Sequence, residues 1–554
     1  MAAPSVGSAE SSKRPGPPPA SLSTAGPRKI TETEVAKHNR ADDIWIAING
    51  QVYDLTKFLK AHPGGKAVLL QVAGTDATKQ FYALHNKDIL EKYKKLRIGK
   101  LYAEDGATEK RAADELIPGS GEDDVFSLVP YGEMPLLREG WAGGHMGESH
   151  VKFYRACREF VRDELMEDAK DGEETDAFPE PEVYQKMGNF GFLAARIGTA
   201  CMPVVKELNL PLPGGISPDE FDPFHEMLAH EAIGHQLRQP GYCDGLGAGL
   251  CIGLPPVLIF AKPEIQQRVV PEVLKGNKRI CLAISEPIAG SDVANIELTG
   301  KKSACGKFYV LNGVKKWITG GMFSDYFVTA VRTGGRGMKG ISMMLVERTE
   351  GLTTRQISTS YSKAAGTALV MYDDVRVPVE NLFGKENQGF KCIMANFNHE
   401  RWFICAMALG SMRSLLKESY LWSMQREVFG HKLAEEPVIR QKLGKMTAAV
   451  EAVQANVENI TLQMKEMDYF TQALKLAGPI SFLKYNLTRT MTMLSDEACQ
   501  IFGGRSITKT GLGDGVEKFQ RTFKFASILG GSEEIMADLG VRQAMREFPA
   551  KARL

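Results

Sequence analysis

The chain has 554 residues, 68 basic and 67 acidic side chains and a formal charge of +1, with 43% hydrophobic and 24% charged residues. That length is too great for one hydrophobic core, and about 150 residues per domain predicts three or four folding units. The even charge excludes nucleic-acid binding by the molecule as a whole, which needs a basic surplus; the nine scattered cysteines contain no C-x-x-C pair and support neither a disulfide framework nor a zinc ribbon.

Residues 1–28 have no apolar core segment and collect Pro15, Pro17, Pro18, Pro19 and several serines, so a disordered tail is expected rather than a targeting leader. No membrane span is expected, because the best apolar run, Gly249–Ala261, is short and holds Pro255 and Pro256. In residues 29–103, strands are predicted at Ile44–Ile48 and Gln51–Tyr53, joined by Asn49-Gly50 as a hairpin turn. His62-Pro63-Gly64-Gly65 then presents an imidazole on a tight loop. The helical run Lys66–Gln71 and the turn Gly74-Thr75-Asp76 lead on to His85.

Two neutral imidazoles from opposite walls of an apolar cleft, here Leu59, Val68, Leu69, Val72, Phe81 and Leu84, can hold an iron axially and suit it to electron transfer. Taken alone, the pair reads more readily as a turn cap and an exposed helix residue. The surrounding segments W-I-A-I-N-G-Q-V-Y-D-L-T-K-F-L, H-P-G-G, A-G-T-D-A-T-K-Q-F-Y-A-L-H and I-G-K-L closely resemble the cytochrome b5 family, a small α+β fold. The resemblance implies that haem b is bound with His62 and His85 as iron ligands. Residues 104–129 begin acidic and rich in small side chains, and read as a flexible linker.

Residues 130–280 read mainly as helices, at Glu148–Glu164, Glu182–Met187, Phe224–His235 and Lys262–Leu274. The period changes to strands over 281–387, including Phe327–Arg332, Ile341–Glu347 and Leu369–Tyr372, and returns to helices over 388–548. The expected architecture is helical bundle, β-domain, helical bundle. Gly335-x-Gly337-x-x-Gly340 matches the dinucleotide fingerprint only formally, since it joins two strands and opens no helix. His225, His230 and His235 recur every five residues, which disperses them around a helix and disfavours a shared metal.

The stretch A-I-S-E-P-I-A-G-S-D at 283–292 ends a strand in a loop of free amides and hydroxyls, a cradle for a polar cofactor edge or simply a turn. It is followed by K-W-I-T-G at 316–320, D-V-R-V-P at 374–378, R-E-V-F-G at 426–430, Q-I-F-G-G at 500–504 and I-L-G-G-S-E-E-I at 528–535. In this order and spacing the blocks resemble the acyl-CoA dehydrogenase family from Pro135 to Ala544. The resemblance implies FAD, an acyl-CoA substrate, and a homodimer or homotetramer with the cofactor between subunits. It implies flavin contacts from Ser285, Ser291, Trp317 and Thr319, contacts to a neighbouring subunit's FAD from Arg426, Phe429, Gly503 and Gly504, and contacts from the C-terminal segment by Ser532 and Glu534. Pro437 and Thr522 stand where the family often has glutamine and aspartate.

Family chemistry needs a carboxylate to remove the proton alpha to the thioester. Many members carry it in Y-E-G-T, whose glutamate position is here Gly530. A subset resembling isovaleryl-CoA and long-chain acyl-CoA dehydrogenases carries it on another helix, directly before an arginine. Asn398-His399-Glu400-Arg401-Trp402 matches that place, so Glu400 is the expected base and Arg401 its neighbour in the wall; Glu533 lies past the glycine pair and is a weaker substitute. The reading is an FAD-dependent acyl-CoA dehydrogenase of β-oxidation type that exchanges electrons with a fused haem domain and with a flavoprotein or reductase partner. An oxidase using oxygen and a non-catalytic acyl-CoA-binding or electron-transfer protein are the alternatives. The tail 549–554 ends in Ala552-Arg553-Leu554, a match to a peroxisomal address, with the cytoplasm as the other expected location.

Overall fold

The computed structural model describes residues 28–82, 84–85, 88–103, 125–137, 144–238 and 240–549. The tail 1–27, residues 104–124 of the expected linker and the terminal Ala552-Arg553-Leu554 lie outside the described residues. The chain divides into two units, Met1–Ile117 and Pro118–Leu554.

In the first unit Asn49 and Gly50 both adopt positive φ, 53° and 67°, as a two-residue hairpin loop of the primed type requires. They pair Asp43–Ile48 with Gln51–Asp54 in the register Ile46↔Tyr53 and Ile48↔Gln51. Two further strands complete the sheet edge: Arg97–Tyr102 lies beside Gln51–Asp54, and Lys29–Thr31 runs parallel to it. The strand Asp43–Ile48 is buried on both faces. Ile44, Ile46 and Ile48 pack with Leu55, Leu59 and Leu69, while Trp45 and Ala47 pack with Ile30, Val35 and Leu101.

The second unit opens with helices, among them Glu148–Phe160, Pro223–Leu237, Ala248–Phe260 and Pro263–Leu274. The first of these does not end where its periodicity suggests. A π-helical turn, Val161–Leu165, carries it into Met166–Thr175. Pro240–Phe260 is long and apolar enough by composition to cross a membrane, but 72% of its 18-residue apolar window is buried inside the fold, and Ala248–Phe260 continues as helix through Pro255 and Pro256. A seven-stranded sheet follows, and Gly335–Gly340 lies in the connection between its antiparallel strands Tyr326–Arg332 and Ile341–Glu347. The helices Gly389–Gln425, Pro437–Lys465, Ala477–Phe502 and Glu533–Arg546 complete the chain.

The 37-residue helix Gly389–Gln425 is the axis of this unit, and it meets Pro223–Leu237 almost backbone to backbone. A Cβ on Gly234 would fall 1.9 Å from the Met407 carbonyl oxygen, and one on Gly410 would fall 2.3 Å from that of Glu231. Both glycines are there because no side chain fits. The same contact zone encloses charge. Arg158, 1% exposed, donates to both Glu133 oxygens at 2.9 and 3.1 Å and to the Val125 carbonyl. Burial alone would raise the Glu133 carboxyl, but His235 and Arg158 outweigh it and hold it down to about 2. Removing one partner of such a pair strands the other charge in a dry interior. Arg158→Met is therefore expected to cost about 3–5 kcal/mol, read as a lowered urea midpoint at unchanged denaturant slope.

Candidate active site

The strand Phe308–Ile318 carries the first group of site residues. It pairs with Ala368–Pro378, and the register slips between Ile318↔Ala368 and Lys315↔Val370, so Lys316 and Trp317 oppose Leu369 alone. This is a β-bulge, a device that re-aims a side chain. Trp317 takes φ 67° there and is turned outward to 50% exposure. A bulky residue in left-handed backbone is costly and marks a position held for a purpose. Thr319 is buried two residues on. Lys316 N–H donates to the Ser285 carbonyl at 2.9 Å, which ties the loop carrying Ser285 and the exposed Ser291 to the bulge.

That loop is anchored by a fully buried lysine that the motif reading passed over. Lys315 Nζ donates to the Ile284 carbonyl at 2.8 Å and to Glu286 Oε1 at 2.9 Å, while the same Glu286 carboxylate accepts from the backbone of Glu297 and Leu298. Burial pulls Lys315 down to about 8 against the opposing pull of Glu286. Lys315→Met leaves the Glu286 carboxylate with backbone donors only, and is expected to loosen the Ser285–Ser291 loop. The check is faster amide exchange across 284–292, with the remaining strands of the sheet unchanged.

A second group gathers at one end of the C-terminal bundle. Arg426 caps the long helix and is exposed, and Phe429 sits at the tip of the hairpin Glu427–Val428/His431–Lys432 with φ 50° and 92% exposure. Gly503 and Gly504 end the helix Ala477–Phe502, and a Cβ on either would meet nothing within 4 Å. Trp422 stacks on Phe502 with ring centres 5.5 Å apart, which joins the two helix ends. Arg505, absent from the motif reading, lies against Trp422 and close enough to Arg426 to feel its charge.

The third group surrounds Glu400, inside the long helix and 7% exposed. A Cβ on Gly530 would lie 3.4 Å from Glu400 Oε1 and 3.2 Å from Ile404 Cδ1. The bare position at 530 and the Glu400 carboxyl therefore face the same small space. Arg401 Nε donates to the Gly530 carbonyl at 2.8 Å, and Lys484 Nζ to the Gly531 carbonyl at 2.7 Å. Glu400 Oε2 is buried without a hydrogen-bond partner. Burial raises the Glu400 carboxyl to about 6, against the lowering pull of Arg401, Lys484 and His399, so it is ionised at neutral pH yet basic enough to take a proton. Ile404, one turn along, also lines a partly open apolar pocket of about 50 Å³, walled by Cys243, Met407, Ala408, Phe519 and Phe523. Ser532 caps the helix Glu533–Arg546 by accepting from Ile535 N–H, with Glu534 exposed in its first turn; Glu533 faces Arg489 at 3.5 Å.

His225, His230 and His235 are all buried, and their rings go to different partners: Asp222, the Arg196 carbonyl and the Gly132 carbonyl. His225, His150 and Asp222 do lie together, but Lys465 already holds the second Asp222 oxygen at 2.7 Å.

Family models match the second unit in three consecutive parts: acyl-CoA dehydrogenase N-terminal domain at 147–277, middle domain at 281–375 and C-terminal domain at 387–545. The acyl-CoA dehydrogenase apdG of Emericella nidulans is 36% identical over 430 residues, covering 77% of this chain and 97% of that protein. The chain belongs to the acyl-CoA dehydrogenase family. It is an oxidoreductase with a second, fused module, because a model of the cytochrome b5-like haem/steroid binding domain matches 31–102. The acyl-CoA dehydrogenase AFT10-1 of Alternaria alternata is 32% identical over 427 residues, covering 76% of this chain and 97% of that one. A crystal structure of a probable acyl-CoA dehydrogenase from Mycobacterium abscessus superposes with a TM-score of 0.62 at 26% identity, covering 72% of this chain and 99% of the other.

In the cytochrome b5-like domain of this dehydrogenase, the His62 and His85 ring centres are 6.2 Å apart. Two imidazoles sharing one metal, each bonded at about 2 Å with roughly 1 Å more to the ring centre, would stand about 6 Å apart. His62 Nδ1 is placed to donate to the Gly65 carbonyl at 3.0 Å, which leaves Nε2 available to a metal. A Cβ on Gly64 would sit 2.8 Å from His62 Cε1 and would push the imidazole aside, while Gly65 turns the chain at φ 81°. Leu59 and Leu69 are buried, whereas Val68, Leu70 and Leu84 are exposed apolar side chains near the histidines in sequence. The donor set and the apolar surroundings fit a haem. His62→Ala is expected to abolish the haem absorption band while the flavin band persists.

Proposed function

We propose that this protein removes the alpha proton of a saturated acyl-CoA with Glu400 as base, yielding the trans-2-enoyl thioester. The observation that carries this is the 3.4 Å between Glu400 Oε1 and the Cβ position of Gly530, where other members of the resembling family carry their base. The bound FAD would accept the beta hydrogen as hydride, and the haem would take or give single electrons. Trp317 supplies a flat apolar wall, and Ser285, Ser291 and Thr319 supply polar atoms for the flavin. Ser532 and Glu534 lie where the C-terminal segment would meet the cofactor.

Arg426 and Arg505, side by side beside open glycine backbone, suit a diphosphate. With Phe429 exposed at a hairpin tip, they fit contact with the cofactor of a neighbouring subunit in a homodimer or homotetramer. The apolar cavity next to Ile404 is the space for an acyl chain. Glu400, buried with one oxygen unpartnered, is kept from water until substrate arrives, and the ties from Arg401 and Lys484 hold the turn opposite it.

Glu400→Gln is expected to lower turnover by about a thousandfold or more while FAD stays bound; an active variant would move the base elsewhere. Because the working form is the carboxylate, kcat/KM is expected to rise with pH through about 6, where burial has placed the group. A pH–rate profile flat from 5 to 8 would contradict it. Electron exchange with the haem domain rests on the fusion itself. Anaerobic stopped-flow mixing with acyl-CoA should show flavin bleaching and then haem reduction at a rate independent of protein concentration, and a haem that stays oxidised would overturn transfer in that direction. The Ala552-Arg553-Leu554 ending supports a peroxisomal location, tested by the distribution of the protein with and without those three residues.

A further inference from the structure

Lys484 belongs to none of the recognised motifs. It lies on the helix Ala477–Phe502 with Ile480, Leu487 and Thr488, three or four residues away and likewise buried, and is itself 1% exposed. An ammonium in such a stripe is costly unless something nearby answers its charge. Its hydrogen bond goes to a backbone carbonyl, that of Gly531, at 2.7 Å. The carboxylates whose charge it feels are Glu400, across on the long helix, and Glu533, just past the turn; Cys405 and Arg401 face it as well.

The geometry around it is specific. Gly530 and Gly531 both have positive φ, 64° and 108°. Their successive carbonyls are taken by two cations from two different helices, Arg401 from the long helix and Lys484 from its neighbour. This doubly held turn faces the Glu400 carboxyl across the gap that a Cβ at 530 would fill. A shift of the turn by even 1 Å would close that gap or open it to water.

We propose that Lys484 is a positioning residue for Glu400: without touching the substrate, its ammonium pins the Gly531 carbonyl and so fixes the wall opposite the base. The inference rests on the reading of Glu400 as base. The other charged groups facing Glu400 are His399 and Arg401 on its own helix and Asp244 on Pro240–Gly245. Burial raises Asp244 well above the usual carboxylate range, which favours its neutral form and weakens it as a competing charge. Burial also draws Lys484 down, to about 8, which leaves it charged in the range where Glu400 titrates.

The test is the pH profile of kcat/KM for the full-length holoprotein as Lys484→Met, Lys484→Gln and Lys484→Arg, beside Glu400→Gln. Losing the positive charge should move the acid limb up by about one pH unit in the Met and Gln variants, and Arg should restore it. A limb that stays in place in a neutral variant retaining its flavin overturns the proposal, even if Glu400→Gln is inert and the base assignment stands. If Glu400→Gln is active, the base reading itself fails, and the proposal with it. If neither neutral variant retains flavin, Lys484 is a structural residue and the positioning role is lost.

Discussion

A carboxyl buried among apolar side chains, close to cations but hydrogen-bonded to none of them through its second oxygen, is the constraint on which the dehydrogenase unit turns. Water would stabilise the ionised form and blunt its basicity, and complete burial without cations would keep it protonated. The corner around Glu400 lies between these limits: its own helix supplies Arg401 and His399, and a neighbouring helix supplies Lys484. The opposite wall has to be bare, and Gly530 is bare. Glutamate on the long helix and glycine at the turn form one arrangement divided between two distant stretches of sequence.

The same economy appears elsewhere in this unit. Lys315 and Glu286 are almost fully buried and hold the loop that carries Ser285 and Ser291. Arg158, on the helix Glu148–Phe160, and Glu133, in the loop segment before Pro135, form a second buried pair. Burying such charges adds little net stability, because desolvation offsets attraction. What they provide is geometry, since a carbonyl or carboxylate held by a buried cation has few alternative positions. Trp317 and Phe429 show the complementary device, aromatic residues held in left-handed backbone by a bulge and a hairpin tip.

Much of this was legible in the residues. Asn49-Gly50 announced its hairpin, and Gly65 set the start of Lys66–Gln71 as its N-cap. The reciprocal pattern of Glu400 and Gly530 foretold their meeting in space. Other features were hidden for physical reasons. The strand expected at Leu369–Tyr372 runs over Ala368–Pro378, because Asp373 and Asp374 are absorbed by a register shift, with Asp374 at φ 50°. Lys484 and Lys315 went unnoticed because a lysine normally signals solvent, and neither its depth nor its backbone partner is written in local spacing. Arg505 follows a recognised glycine pair, but its nearness to Arg426 depends on how two helix ends converge.

The close approach at Gly234 and Gly410 carries a consequence for how this enzyme could diversify. The long helix is seated against Pro223–Leu237 by main chain on main chain, so its distance there is set by two absent methyl groups and not by the bulk of any side chain. Residues lining the chamber beyond Ile404, such as Met407 and Phe519, can then be exchanged for larger or smaller ones without altering that seat. On the proposed reading, the acyl-chain wall can be remodelled while the seat that holds the Glu400 helix is inherited intact.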